Sequence, residues 1–326
     1  MRSQVGGRSL ILFLLVSFVG AWVIALPLYF TGGLASPLAP FLIVGVMFAP
    51  ALGVLAAWGA QKPRPGERWR ALGVTSPRPV SRPIWFSVLG LFLGSAIVIA
   101  GVFLAAALGL IELDLVEFSG YVESVRALGV SDLAIPGAVV VLMQLAAIPV
   151  NAVVSAPFAF AEEVGWRGWL LPRLLPLGVW PALVLSGAIW GLWHAPLILL
   201  GYNFGRPDLL GLGMMVLACV LFGIILGWLR LRSTSIWPAV IAHSAFNATA
   251  SFATLVAAAG QQVDLLAISP LGWVTCLIMI AVIGVLVLTK RLRKENLTAQ
   301  NPHDRLEERQ DLSEVRDDAS RTGGHT

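Results

Sequence analysis

The chain has 326 residues, of which 57% are hydrophobic and only 12% charged. Soluble domains usually carry about 25% charged residues, so this composition excludes an ordinary soluble fold. The formal net charge of +4 does not indicate nucleic-acid binding, because the basic residues are concentrated between apolar segments, where they set membrane topology.

Apolar runs of about 20 residues match the roughly 30 Å hydrocarbon core of a bilayer. We predict about eight transmembrane helices, over residues 9–31, 38–60, 84–111, 137–160, 180–200, 209–229, 236–258 and 268–289. The predicted fold is therefore an all-α polytopic membrane protein, a helical bundle. The first run is longer than the roughly 7–15 apolar residues of a secretory signal, which favours a retained helix.

Basic connections alternate with neutral or acidic ones along the chain. Residues 61–83 are rich in Arg and Pro and are expected to be irregular. Residues 112–135 are mostly acidic and have room for a short amphipathic helix, and a basic KRLRK stretch follows the last run at 290–294. Arg206 is the clear exception to the alternation. The positive-inside rule then predicts a multi-pass plasma-membrane protein with both termini in the cytoplasm.

The chain divides into one membrane domain and one tail. We predict a transmembrane domain over residues 1–294 and a polar tail over 295–326, which cannot bury enough apolar surface to fold alone and is expected to be disordered in the cytoplasm. Cys219 and Cys276 lie inside apolar runs, so they are interpreted as packing residues rather than as a disulfide or a metal motif.

Ionisable side chains inside a bilayer are costly, and here they are grouped in three apolar segments. The fourth run and the cytoplasmic end that follows it read FAFAEEVGWRGWLLP, the fifth contains WGLWHAP and the seventh contains HSAFNA. Glu163 and Arg167 share a helical face with the acid first, which favours an ion pair. Glu162 is rotated about 100° from Glu163. One acid is therefore expected to be neutralised and the other left free for chemistry.

The other two segments add imidazole and carboxamide groups. His243 and Asn247 point to one side of their helix, and Trp190 lies one turn before His194, where it could pack beneath the imidazole. A carboxylate beside an imidazole can hold and deprotonate water. A second imidazole and a carboxamide can donate to a developing oxyanion. The same groups could instead ligate zinc and leave a position open for water.

Each pattern has a structural interpretation when taken alone. A single buried histidine is usually a satisfied core residue, and two acids at a membrane border are often simply solvated. The joint occurrence of the patterns, in order along apolar helices, favours a site. The small-residue spacing of Gly187 and Gly191 is interpreted as close helix packing.

The three segments resemble the motifs of a known family. EEVGWR (from Glu162), WGLWH (to His194) and HSAFN (from His243) are similar to the EExxxR, FxxxH and HxxxN/D motifs of the CPBP family, which comprises the type II CAAX prenyl proteases and the Abi proteins. The resemblance covers about residues 135–260. It departs at Trp190, where the family usually has Phe, although an aromatic ring is kept.

The resemblance implies an intramembrane endopeptidase acting on a peptide or membrane-protein substrate. In that family role, Glu162 would activate water together with His194, and His243 and Asn247 would form the oxyanion site or complete a metal site. A divalent metal such as zinc would be held by Glu162, His194 and His243. These side chains are expected to converge on one polar cavity that opens toward the cytoplasm, since Glu162 lies near the predicted inner end of its helix. Counting from Trp180 at about 1.5 Å per residue places His194 about 20 Å deep, so either that helix begins later or the cavity reaches near the midplane.

Supporting roles and alternatives complete the hypothesis. By resemblance, Glu163 and Arg167 would be structural partners, with Trp190 as a further supporting residue. Residues of these types could also act without metal, as a glutamate protease. Two other classes stay open: a catalytically silent membrane scaffold or immunity protein, and a proton-coupled transporter. A transporter is disfavoured because inverted repeats and broken helices would be expected in matching halves, whereas the ionisable residues within the helices fall only in the second half. The oligomeric state stays open.

Overall fold

The computed structural model describes residues 7–75, 79–127, 129 and 136–297. Helices dominate it, and within these ranges the only extended pairing is an isolated bridge between Leu113 and Ala257. The predicted all-α class is therefore confirmed. The predicted tail, from residue 298 onward, lies outside the described residues.

The α-helices of the described ranges are, in chain order, α1 (Gly7–Ala25), α2 (Ala39–Met47), α3 (Ala49–Gln61), α4 (Pro65–Ala71), α5 (Ser81–Ala107), α6 (Ser119–Ala127), α7 (Gly137–Glu163), α8 (Leu171–Leu174), α9 (Val179–Trp193), α10 (Ala195–Ile198), α11 (Leu209–Ser233), α12 (Trp237–Ala248), α13 (Phe252–Val256), α14 (Leu265–Ile268), α15 (Trp273–Leu288) and α16 (Lys294–Leu297). A π-helical segment, Val164–Leu170, joins α7 to α8.

Within the described ranges, seven helical stretches are long and apolar enough to cross a membrane: Gly7–Phe30, Ala39–Gln61, Ser81–Ala107, Gly137–Leu177, Leu209–Ser233, Trp237–Val256 and Leu265–Leu288. They coincide with seven of the predicted runs. The remaining run, predicted at 180–200, contains the shorter α9, of 15 residues, followed by a break at His194. Pro196 has no backbone N–H with which to continue the helix, which explains the break.

The surface of the bundle fits a lipid solvent. Large apolar side chains such as Phe92, Val154 and Leu288 are exposed on the outside of the long helices. A bilayer solvates such side chains without the cost that water imposes. The chain is a multi-pass membrane protein.

Two connections contain helices. The one predicted to be irregular, at 61–83, holds α4 among its described residues, so that expectation is wrong. The cause is local. A proline lies in the first turn, where its missing N–H costs nothing. Glu67 in the first turn and Arg70 in the last turn also interact favourably with the helix dipole. The short helix expected in the acidic connection is present as α6.

Small residues bring the motif helices close to their neighbours. A Cβ added to Gly191 of α9 would lie 2.5 Å from the Cα of Val216 in α11, and one added to Gly187 would lie 2.7 Å from the Cα of Val220. The interpretation of both glycines as close packing residues is confirmed. A Cβ on Gly90 of α5 would likewise meet the backbone of α12. The helices that carry the two histidines are thus held firmly by their neighbours.

Candidate active site

The two acids of the first motif end α7, deep inside the bundle. Glu162 is 3% exposed and Glu163 is fully buried. The helix does not stop there, because the π-helical segment Val164–Leu170 continues it toward Leu177. π-Helical turns often occur at functional sites. Nothing in the sequence pattern predicted this one.

Glu163 is the acid that is neutralised. Its Oε1 accepts hydrogen bonds from Nη1 of Arg167 at 2.8 Å and from Nδ1 of His243 at 2.9 Å. The Glu163 and Arg167 side chains are 0% and 1% exposed, so this is a fully buried ion pair. The ion pair agrees with the spacing argument. The bond to His243 joins two motifs that are 80 residues apart.

Trp190 connects the second motif to Glu162 and Arg167 of the first. Its Nε1–H donates to Oε2 of Glu162 at 2.9 Å, and the guanidinium carbon of Arg167 lies 4.1 Å from the centroid of its ring. Its carbonyl lies 2.9 Å from Nδ1 of His194. A carbonyl only accepts hydrogen bonds, so this partner assigns the proton of the imidazole to Nδ1 and leaves Nε2 with a lone pair.

The expected packing of Trp190 beneath the His194 imidazole is not found. The two rings are tilted by 57° with centroids 5.8 Å apart, and Trp193 lies closer, with an edge-to-face contact at 4.7 Å. The reason is that His194 ends α9 and its ring folds back onto the backbone of the last turn.

All four predicted catalytic residues line one cavity of about 290 Å³. Glu162 and His243 are buried, His194 is half-buried and Asn247 is exposed. The remaining wall is largely apolar and includes Ile43, Met47, Met215, Phe222, Phe246 and Leu271. The cavity therefore combines a few convergent polar groups with an apolar lining, the usual character of a ligand site.

Several lining residues were not predicted. Cys219 lies with its Sγ 4.0 Å from Nδ1 of His194, and Tyr202, Asn203 and Ser269 come from connections without a motif. Burial, and then the nearby Glu162 carboxylate, raise the pKa of the Tyr202 phenol. That phenol therefore stays a neutral hydroxyl at physiological pH. No sequence signal marked these four positions.

The cavity lies deeper in the bundle than the predicted end of the fourth run implied. Its half-buried lining residues include Asn203, between α10 and α11, and Pro270, between α14 and α15, and no residue of the basic connections at 61–83 and 289–294 is among its described lining residues. This differs from the expected opening toward the basic, cytoplasmic connections. Because the helix continues from Glu162 to Leu177, Glu162 lies near the middle of the bundle rather than at its inner end.

Metal ligands are not assembled in this geometry. Among the described residues, no group of three or more His, Cys, Asp or Glu side chains is arranged to hold a metal ion. The predicted zinc ligands Glu162, His194 and His243 line the same cavity without forming such a group. Zinc binding stays a prediction, and no chemical step is derived through a metal.

The fold and the site define a polytopic helical membrane protein with a buried acid–imidazole centre. Comparison with known proteins gives two matches, each over part of the chain. Residues 139–249 match the family model described as type II CAAX prenyl endopeptidase Rce1-like. The chain is also 34% identical over 93 residues to the protein named CAAX prenyl protease 2 of Methanococcus maripaludis.

The second match takes in 26% of this chain and 34% of the relative, so the chain spans about a third of the relative's length. The family match covers the segment that carries all three motifs. The match to residues 139–249 supports, over that part of the chain, the family predicted from those motifs.

Proposed function

We propose that the protein is an intramembrane endopeptidase that hydrolyses a bond in a peptide or membrane-protein substrate. The observation that carries the proposal is the convergence of Glu162, His194, His243 and Asn247 on one cavity, within a segment that matches a family of endopeptidases. The enzyme is proposed to lie in the plasma membrane with both termini in the cytoplasm, as the basic connections indicate.

Glu162 and His194 are proposed to activate the attacking water. The Trp190 N–H fixes Oε2 of Glu162, which leaves Oε1 for the water. His194 offers the lone pair of Nε2, since Nδ1 is held by the Trp190 carbonyl. The water oxygen attacks the peptide carbonyl carbon while one water proton passes to the Glu162 carboxylate. That proton then goes to the leaving nitrogen as the C–N bond breaks.

His243 and Asn247 are proposed to stabilise the oxyanion that forms on the carbonyl oxygen. The carboxamide of Asn247 is a donor in any protonation state. His243 donates through Nε2 only when it carries a second proton, because Nδ1 already donates to Glu163. The positive charge of that form faces the Glu163 carboxylate, which is why the buried acid matters for chemistry as well as for packing.

The test is cleavage of a quenched-fluorescence peptide library by the purified protein in detergent, with wild type and Glu162→Gln compared. We expect cleavage by wild type and none by Glu162→Gln. Glu117→Gln, in an exposed acidic connection, is the control and should cleave as wild type does. Equal cleavage by wild type and Glu162→Gln would rule out the proposed base. A chelator arm, with zinc added back, tests metal assistance separately.

A further inference from the structure

The cavity extends from the middle of the bundle toward one end. Cys219, beside His194, marks the depth of the site. At 1.5 Å per residue it lies roughly 15 Å from the start of α11 at Leu209 and roughly 21 Å from the end of α11 at Ser233. The reacting groups are therefore near the midplane, slightly closer to the end where α11 begins.

The open side of the cavity is formed at that same end. Asn203 belongs to the connection that leads into α11, and Pro270 to the connection between α14 and α15. Ala250, just after α12, is exposed, and Asn203 and Pro270 are half-buried. By contrast, the lining residues Glu162, Trp190, Cys219 and His243 are buried. The cavity floor is thus in the middle of the bundle and its rim is at this end.

The two ends of the bundle carry opposite charge. Acidic residues cluster in the connections at the rim end: Glu112, Asp114, Glu117, Glu123, Asp208 and Asp264. The other end carries Arg64 and Lys290 in connections and Arg230 in the last turn of α11, whereas Arg126 and Arg206 are the basic residues among the acidic ones at the rim end. Arg173 lies at that basic end, where its Nη2 donates to Gln61 of α3 at 3.2 Å and Gln61 donates to Ser9 of α1 at 2.8 Å.

We infer that the cavity is entered from the non-cytoplasmic side of the membrane and accepts an extracytoplasmic peptide segment with apolar residues around the scissile bond. The side of entry follows from the positive-inside rule, because the rim lies opposite the basic connections. The apolar preference follows from the wall, in which no Lys or Arg is found among the described lining residues. The substrate class rests on the proposed hydrolytic activity, whereas the side of entry rests on the proposed membrane orientation and not on catalysis.

Cysteine labelling tests the side of entry without any need for catalysis. The variants are Ala250→Cys at the cavity rim, Glu117→Cys in the acidic connection and Arg64→Cys in the basic one. Intact cells are treated with a membrane-impermeant maleimide, before and after permeabilisation. Wild type gives the background, since Cys219 and Cys276 are both buried.

We expect Ala250→Cys and Glu117→Cys to be labelled in intact cells as fully as after permeabilisation, and Arg64→Cys to be labelled only afterwards. Labelling of Ala250→Cys that requires permeabilisation, as for Arg64→Cys, would overturn the side of entry. If instead Arg64→Cys were labelled in intact cells and Glu117→Cys only after permeabilisation, the acidic end would lie in the cytoplasm. That result would also overturn the inferred side of entry.

A second arm tests the substrate class in sealed right-side-out vesicles. An impermeant quenched peptide with apolar residues at its centre is added outside, and Glu162→Gln vesicles serve as the control. Cleavage by wild type without detergent is the expected result. Cleavage that appears only after detergent would overturn the inference. No cleavage in either condition, with the labelling as expected, would refute the proposed function and leave the side of entry standing.

Discussion

Trp190 holds Glu162 through a hydrogen bond from its indole Nε1 to Oε2 at 2.9 Å, while the guanidinium of Arg167 lies over the same ring. Glu162, the carboxylate assigned to chemistry, is therefore held by Trp190. Trp190 in turn packs against Arg167, the ion-pair partner of Glu163. The phenylalanine that is usual at this motif position has no N–H. The hydrogen bond to Glu162 therefore depends on the indole N–H and would not be formed by a phenylalanine ring.

Replacing Trp190 by Phe removes that donor and keeps an aromatic ring. A hydrogen bond to a charged group is worth roughly 1.5–3 kcal/mol. We therefore expect kcat/KM of Trp190→Phe to fall by about tenfold or more. The acidic limb of its pH–rate profile should move to higher pH, because the lost donor stabilised the ionised carboxylate. The measurement is kcat/KM on a reporter peptide as a function of pH.

Trp193→Phe is the matched control for this prediction. The Nε1–H of Trp193 donates to the carbonyl of Ser17 at 3.0 Å and does not contact Glu162. Its loss should lower thermal stability while the acidic limb stays in place. An unchanged pH profile in Trp190→Phe would show that the indole N–H does not act on the carboxylate.

Gly191 controls how closely α9 approaches α11, and we expect Gly191→Ala to disturb the site. The new Cβ would meet the Val216 backbone, and overpacking of this kind costs roughly 1–3 kcal/mol. His194 follows three residues later on the same helix, so activity should fall together with the melting temperature in detergent.

Gly213→Ala, on α11, gives the comparison. A Cβ there meets nothing within 4 Å, so this variant should be neutral or more stable by up to about 1 kcal/mol. If Gly191→Ala were as stable and as active as Gly213→Ala, the close approach of the two helices would not position His194.

Local patterns were enough to predict the spans and one ion pair. The α11 helix, predicted over 209–229, is Leu209–Ser233, because hydropathy within a single segment determines it. The bond between Glu163 and Arg167 was predictable because four residues separate them on one helix. The bond between Glu163 and His243 was not, since only the packing of α7 against α12 brings them together.

Two helix ends were misplaced, each because of a feature that hydropathy does not report. The fourth run was predicted to end at residue 160, before its acids, although the helix continues to Leu177. Neighbouring helices bury Glu163 and Arg167 as a pair, so the helix can remain inside the bundle through its charged residues. The fifth run was predicted too long, because apolar composition does not register the break at His194.

Asp114 caps the acidic connection, and we predict that its contribution to stability depends on pH. Its carboxylate accepts the backbone N–H groups of Val116, Glu117 and Ser119 at 3.1, 2.8 and 3.1 Å. The Ser119 hydroxyl, followed by these backbone donors, holds the pKa of Asp114 well below its usual range.

A depressed pKa means that the stabilisation is present at neutral pH and is lost as the pH falls, because the unfolded chain takes up the proton first. The melting temperature of Asp114→Asn should therefore lie below that of wild type near pH 7. The difference should shrink below about pH 4, the ordinary range of an aspartate. A difference that stays constant from about pH 7 to about pH 3 would contradict the prediction.

Substitutions that disturb the two adjacent acids, Glu162 and Glu163, should differ in how far they lower stability. Arg167→Ala leaves Glu163 buried without its cation, and breaking such a pair costs roughly 3–5 kcal/mol when burial is complete. We expect low expression and a markedly lower melting temperature in detergent. A loss below about 1 kcal/mol would mean that the pair behaves as a solvated one.

Glu162→Gln should instead abolish turnover with little loss of stability, because it removes a base and keeps the shape of the side chain. The glutamine carbonyl can still accept the Trp190 N–H, so the position of the side chain is preserved. Specific activity and melting temperature are measured on the same preparations, with Glu163→Gln alongside. If Glu162→Gln kept full activity while Glu163→Gln lost it at unchanged stability, the roles would be reversed. Glu163, held by Arg167 and His243, would then be the acid that acts on water.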